Sequence, residues 1–131
     1  MITGIGTDFC DIRRIEKNIE NFGDRFLDKV FTLPEREYCD GKTGRASCYA
    51  KRFAAKEAVA KALARPGTGG LGWHEVEVLN DPSGRPRVIL SGKARDRLPD
   101  HKDFKVHLSL TDDYPYAQAF SVIEARAMVD L

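Results

Sequence analysis

The chain has 131 residues, 42% hydrophobic and 31% charged, which is one ordinary domain with enough apolar content for its own core. Lysine plus arginine is 21 and aspartate plus glutamate 20, for a net charge of +1. That balance argues against bulk nucleic-acid binding, which wants a clearly basic domain. No apolar run approaches the ~20 residues of a membrane-spanning helix, so no membrane partner is expected. The start, Met1-Ile2-Thr3-Gly4-Ile5-Gly6-Thr7-Asp8, lacks the basic and long apolar regions of a signal peptide. Three cysteines, Cys10, Cys39 and Cys48, without a C-x-x-C pair, argue for reduced thiols in a cytosol-like compartment rather than a disulfide scaffold or a zinc site.

In chain order, residues 1 to 10 read as a strand on which Ile2, Gly4, Gly6 and Asp8 share one face. Two glycines there clear the bulk beside Asp8, as where another backbone or a ligand comes close. Asp11 caps a predicted helix to about Phe22, with Ile12, Ile15, Ile19 and Phe22 as its stripe and Gly23 as its stop. Phe26, Leu27, Val30 and Phe31 form a short amphipathic piece. Thr32-Leu33-Pro34-Glu35 has the form of a capping box with an early proline, opening a helix that ends before Gly41. Residues 42 to 46 read as loop.

Ser47 is the expected cap of the longest helix, Cys48 to about Ala64, whose alanines favour the helix and allow close packing. Pro66 and Gly67, Gly69, Gly70 and Gly72 make a loop. Strands are expected over Trp73–Leu79 and Arg87–Ser91 around a hairpin-like connection, and a short helix over Lys93–Leu98. Phe104 to Thr111 alternates, with His107, Ser109 and Thr111 on its polar face, and Ala117 to Glu124 is the last strand. The whole reads as one α+β domain, residues 1 to 131, with a long central helix and an antiparallel sheet.

Four features can carry chemistry. Arg52, Lys56, Glu57 and Lys61 are neighbours on the long helix. Glu57 follows the core-facing stripe Ala50, Phe53, Ala54, and a carboxylate in that line needs a partner. The plainer alternative is an exposed Glu57–Lys61 pair. Asp8 is either a strand-end acid capping the next helix or a ligand beside cleared space. The face His107, Ser109, Thr111 is either a solvated sheet face or a pocket lining. Arg13, Arg14 and Lys17, followed by Arg25 and Lys29, are either a solvated helix face or a dock for an acidic partner. Paired aspartate and glutamate oxygens suit Mg²⁺ together with substrate phosphates, and nearby cations suit phosphate chemistry. Neither a Walker A sequence nor a G-x-G-x-x-G after a strand is present.

Gly4-Ile5-Gly6-Thr7-Asp8 with Ile12 and Arg14-Ile15 resembles the opening motif of holo-acyl-carrier-protein synthases, the small stand-alone group of 4′-phosphopantetheinyl transferases. Arg52-Phe53-Ala54-Ala55-Lys56-Glu57-Ala58 with Lys61 resembles their second motif, F-x-x-K-E-A-x-x-K. His107-Leu108-Ser109-Leu110-Thr111-Asp112 with Tyr116-Ala117 resembles their C-terminal motif, and Asn80-Asp81 with Gly84-Arg85-Pro86 matches a further stretch. The resemblance implies the fold of that family and transfer of 4′-phosphopantetheine from coenzyme A to a serine of apo acyl carrier protein, releasing adenosine 3′,5′-bisphosphate. It implies Mg²⁺ on Asp8 and Glu57, catalytic roles for Asp8, Glu57 and Lys61, and coenzyme contacts from Arg52, Lys56, Lys61, Gly67, Gly69, His107, Ser109 and Thr111. It also implies carrier-protein docking on Arg13, Arg14 and Lys17, a homotrimer, and a place in cytoplasmic fatty acid biosynthesis. For the serine proton, a metal-positioned water and Glu57 itself are both open. A non-catalytic module binding coenzyme A or an acidic protein is the alternative. Two departures stand out. Ala64-Arg65-Pro66 precedes Gly67-Thr68-Gly69, delaying the family's glycine loop, and Phe9 stands in place of an aliphatic residue after Asp8.

Overall fold

The structure is a computed structural model that describes residues 1–100 and 102–127. Strands β1 (Ile2–Asp11), β4 (Lys102–Asp113) and β5 (Tyr116–Ala127) form an antiparallel sheet in the order β1-β5-β4. Helix α4 (Arg45–Leu63) lies along the inner face of this sheet, mainly against β1 and β5. Helices α1 (Ile12–Phe22) and α3 (Leu33–Asp40) pack on α4, with α2 (Asp24–Val30) between them in sequence. A hairpin of β2 (Val76–Asn80) and β3 (Pro86–Leu90), followed by α5 (Gly92–Asp96), packs its β2 strand against α3 and α4 and its β3 strand beside β4.

Local chemistry sets the ends of these elements. Asp11 caps α1 by accepting from the Arg13 amide. Gly23, at φ 55°, turns the chain out of α1, a left-handed conformation that favours glycine. Thr32 and Glu35 make the reciprocal capping box of α3.

The alternation of the sheet separates two faces. Gly6, Cys10, Ala117, Ala119, Ser121 and Ile123 are buried under α4. Outward lie Ile5, Phe9, Tyr116 and Phe120, all substantially exposed. A register shift between Ile2 and Gly4 takes Ile2 off the inner face, where simple alternation put it.

Other boundaries move. Helix α4 starts at Arg45, not after Ser47. Arg45 pairs with Asp40 and Gly44 stands as the N-cap, so the interhelical contact brings three more residues into the helix. Residues Trp73–Glu75 form a 3-10 turn instead of starting the strand. The Glu75 carboxylate folds back to accept from the Gly72 amide, while Lys56 holds the Trp73 and Val76 carbonyls. The hairpin strands β4 and β5 run longer than their alternating cores.

The expectation of reduced cysteines is corrected. Cys39 of α3 and Cys48 of α4 are joined as a disulfide, with Cα atoms 5.4 Å apart, because the two helices pack side by side. Cys10 remains a free, buried thiol.

Candidate active site

The site begins where β1 meets α4. A methyl added at Gly4 would run into the carbonyl of Ala62, and one at Gly6 into the carbonyl of Ala58. Only glycine permits this contact, so the sheet and the helix backbone touch. One step further along the strand's inner face comes Asp8, now level with the next turns of α4. Lys61 Nζ donates to Asp8 Oδ1 at 3.0 Å and to the Thr7 carbonyl at 2.9 Å.

Glu57 sits one turn before Lys61. Burial pushes its carboxyl above the ordinary 4.5, the neighbouring Asp8 charge pushes it further, and Lys61 and Arg14 oppose the shift. Two carboxylates so close repel, and only part of that charge is answered by Lys61. The donor set is oxygen alone, and no cluster of three or more His, Cys, Asp or Glu exists among the described residues. An oxygen-loving ion satisfied by two carboxylates plus waters or phosphates fits this corner, and Mg²⁺ has that habit.

A cavity of about 160 Å³ adjoins Glu57, walled by Ala60, Leu71, Gly72 and Trp73. Trp73 stacks on Phe53 at 5.0 Å, and the Arg14 guanidinium lies 5.5 Å from the Phe53 ring centre on the way to Glu57.

A second, larger cavity of about 680 Å³ lies between α4, the end of α3, the β2–β3 connection and the edge strand β4. Its cations are Lys42, Lys51, Arg52 and Arg85. Arg52 is only 3% exposed. Its guanidinium lies 4.2 Å from the Tyr38 ring centre and donates to Asn80 Oδ1, while its Nε has no partner. Burial lowers its pKa, the charge of Glu35 opposing. Lys51 is held by Asp112 of β4 at 3.1 Å. A buried guanidinium with an unused donor, ringed by three more cations, is a preformed seat for a multiply charged anion.

Residues 4–119 match the 4′-phosphopantetheinyl transferase superfamily. The chain belongs to this family. It is accordingly an enzyme, and it is similar along nearly its whole length to proteins named holo-[acyl-carrier-protein] synthase. That of Caulobacter vibrioides strain NA1000 is 57% identical over 132 residues, covering 95% of this chain and 97% of the relative. The Neisseria meningitidis synthase structure shares 32% identity at a TM-score of 0.80, covering 95% of this chain and 99% of the other. A Helicobacter pylori synthase solved in complex with coenzyme A shares 30% identity at a TM-score of 0.77, covering 92% and 99%.

Within this phosphopantetheinyl transferase, the residues singled out by sequence are distributed unevenly. Asp8, Glu57 and Lys61 come together and Arg52 floors the large cavity. Lys56 lines the smaller cavity beside Glu57, yet its ammonium is turned to other partners. It is 2% exposed, and its three donors are used on Glu35 Oε1 (2.8 Å), the Trp73 carbonyl (2.9 Å) and the Val76 carbonyl (2.6 Å). Glu35 in turn accepts from the Thr32 and Val78 amides. The pair binds α3, α4 and β2 together.

Gly67 and Gly69 also stand apart from the carboxylates. Nothing lies within 4 Å of a methyl built on either, and the Gly69 carbonyl is taken by Arg97. The far end of the same loop, Leu71 and Gly72, is what reaches Glu57. His107, Ser109 and Thr111 lie on the outer sheet face, paired with Val122, Phe120 and Gln118. His107 Nε2 is 3.0 Å from Glu124 Oε1, and His107 with Arg126 holds the Glu124 carboxyl down to about 2. Of these three only Ser109, at the edge of the sheet, also lines the large cavity. In α1, Arg13 is locked to Asp11 by two bonds of 2.9 and 2.7 Å, Arg14 turns toward Phe53, and Lys17 is exposed.

Sequence reasoning missed Tyr38, Lys42 and Lys51. Lys42 read as plain loop and Lys51 drew no reading of its own, and nothing local marks either one. Arg85 had a signal, the Gly84-Arg85-Pro86 match.

Proposed function

We propose that the enzyme transfers the 4′-phosphopantetheine arm of coenzyme A to a serine of apo acyl carrier protein. The serine oxygen bonds to the phosphorus that carries the pantetheine arm. The bond from that phosphorus to the bridging oxygen breaks, and adenosine 3′,5′-bisphosphate leaves with the electron pair. The observation that carries this reading is the convergence of Asp8, Glu57 and Lys61 at the β1–α4 seam, on the same helix as the cationic cavity around Arg52.

The residues divide the work by charge. The large cavity takes the nucleotide end, with Arg52 at its floor and Lys42, Lys51 and Arg85 around the phosphate charge. Lys61 answers charge near the bond that breaks. Asp8 and Glu57 would hold Mg²⁺, which supplies Lewis-acid neutralisation of the pyrophosphate when bound. The wall of Phe53, Trp73 and Arg14 flanks this corner, and α1 with Arg13, Arg14 and Lys17 offers the cationic face for an acidic carrier protein.

The outer sheet face supports self-association. Ile5 (59% exposed), Phe9 (60%) and Phe120 (45%) form an apolar band on it, rimmed by His107, Ser109 and Thr111. Packing against another copy would cover this band and bring His107 and Thr111 to a neighbouring chain's coenzyme. A trimer, as the family resemblance implies, is the expected assembly. Light scattering on the eluting protein should give three chains for the parent and one for Phe9→Lys/Phe120→Lys; a parent that elutes as a monomer removes the assembly. Cytoplasmic fatty acid biosynthesis is the matching setting, and no helix among the described residues is long and apolar enough to cross a membrane.

Intact-mass measurement of apo carrier protein incubated with the enzyme, coenzyme A and Mg²⁺ tests the reaction. The expected result is a carrier heavier by one phosphopantetheine. An unmodified carrier beside a working synthase control overturns the transfer reading and leaves a coenzyme-binding module.

A further inference from the structure

The Cys39–Cys48 bond lies in the wall of the large cavity. Cys48 is a lining residue, and so are Tyr38, immediately before Cys39, and Lys42 and Gly44, inside the segment that the bond closes. The two cysteines are not equally placed. Cys39 is fully buried, whereas Cys48 keeps 7% exposure and lines the cavity. A small molecule therefore meets Cys48 from the same space that an anionic ligand fills. Disulfides in a reducing compartment are typically transient and redox-responsive.

We propose that Cys39–Cys48 is a thiol-exchange site for low-molecular-weight thiols, and that its redox state sets how firmly the cavity holds a nucleotide bisphosphate. This rests on the reading that the cavity takes the coenzyme's nucleotide end. A thiolate attacks Cys48 Sγ, a mixed disulfide forms there, and Cys39 leaves as a thiolate that takes a proton from water. A second thiol attacks the outer sulfur of the mixed disulfide, releasing the small-molecule disulfide and the Cys48 thiol. Two thiols thus supply two electrons and two protons, and the small-molecule disulfide drives the reverse.

The consequence for binding comes from the closed segment. With the bond made, residues 40–47 have few conformations and Lys42 stays by the cavity. With it open, a ligand must order that segment as it binds. Asp40 keeps its bonds from Tyr49 (2.7 Å) and Arg45 (3.0 Å) in either state, so the effect is modest. Binding and redox are linked reciprocally: a ligand that prefers the oxidised form resists its reduction by the same factor.

The test uses the full chain and adenosine 3′,5′-bisphosphate, which has no thiol of its own. The protein is oxidised with glutathione disulfide or reduced with dithiothreitol, and affinity is measured by calorimetry. The reduced form should bind about fivefold more weakly. Saturating bisphosphate should shift the equilibrium with a glutathione buffer toward the disulfide by a similar factor. Acid-quenched exchange with glutathione, mapped by peptide mass, should place the first adduct on Cys48. The Cys39→Ser/Cys48→Ser double variant should bind like the reduced protein whether or not oxidant is present. Equal affinity in the two states, an adduct on Cys39, or no Cys39–Cys48 linkage after oxidation overturns the proposal. Absence of bisphosphate binding in both states overturns the coenzyme reading of the cavity, and the adduct map alone then decides the exchange site.

Discussion

Glycine clusters in two regions of this chain, and the two behave in opposite ways. In β1, Gly4 and Gly6 have no room for even a methyl, because the backbone of α4 occupies it. In the loop between α4 and β2, a methyl built on Gly67, Gly69 or Gly70 meets nothing within 4 Å. The first region is a packing surface that delivers Asp8 to Glu57 and Lys61. The second is an open connection whose far end, Leu71 and Gly72, lines the cavity beside Glu57. Glycine in a strand under a helix thus marks close approach, whereas glycine after a proline-terminated helix marks freedom.

Changes at the seam should therefore be severe and changes in the loop mild, in a graded order. Glu57→Ala should cost about a thousandfold in transfer to the carrier protein while circular dichroism and melting stay near the parent's, since alanine suits a helix. Near-normal turnover would remove the paired-carboxylate site. Lys56→Met, one residue away, should act on stability instead. It leaves Glu35 charged and buried without its cation, and urea unfolding should show a loss of about 3 kcal/mol. A stable but inactive Lys56→Met would restore Lys56 to the site.

Gly6→Ala should cost about 2 kcal/mol or more in the same unfolding measurement, because strand and helix must separate. Unchanged stability would show that the seam is looser than described.

A smaller effect comes from pH. The folded pKa of Glu57 is raised, so the native state holds the proton more tightly than the unfolded chain. Its contribution is present below the ordinary 4.5 and is lost as pH rises through the raised value. Metal-free parent protein should thus lose more stability than Glu57→Gln over that window, and a parallel pair of curves would contradict the shift.

Smallest of all, Gly69→Ala should leave stability within about 0.5 kcal/mol and the KM for coenzyme A unchanged. A several-fold rise in KM would place the loop on the coenzyme after all and end the contrast between the two regions.

Much of the site was legible because its parts are local. The Gly4-Ile5-Gly6-Thr7-Asp8 alternation announced a close approach beside an acid, and Glu57 stood out as a charge in line with a core-facing stripe. The burial of Lys56 was not legible, because helical spacing says which residues are neighbours but not which neighbour is covered. Whether an ammonium meets phosphate or a buried glutamate depends on α3 and β2, distant in sequence. The outward turn of His107, Ser109 and Thr111 was visible as alternation, yet which face α4 would cover was not.

Caps, alternation and apolar stripes are short-range effects, in which side chains a few residues apart compete for one another's backbone groups. They were enough to determine an α+β chain and the order of its elements, and to single out Asp8 and Glu57 as candidates. Packing of distant elements decided the rest: the burial of Lys56 against Glu35, the joining of Cys39 to Cys48, and the gathering of Lys42, Lys51 and Arg85 around Arg52. Those outcomes depend on desolvation and on contacts between different elements, nine residues apart for the two cysteines and 21 for Lys56 and Glu35, which the chain acquires only once its elements have packed.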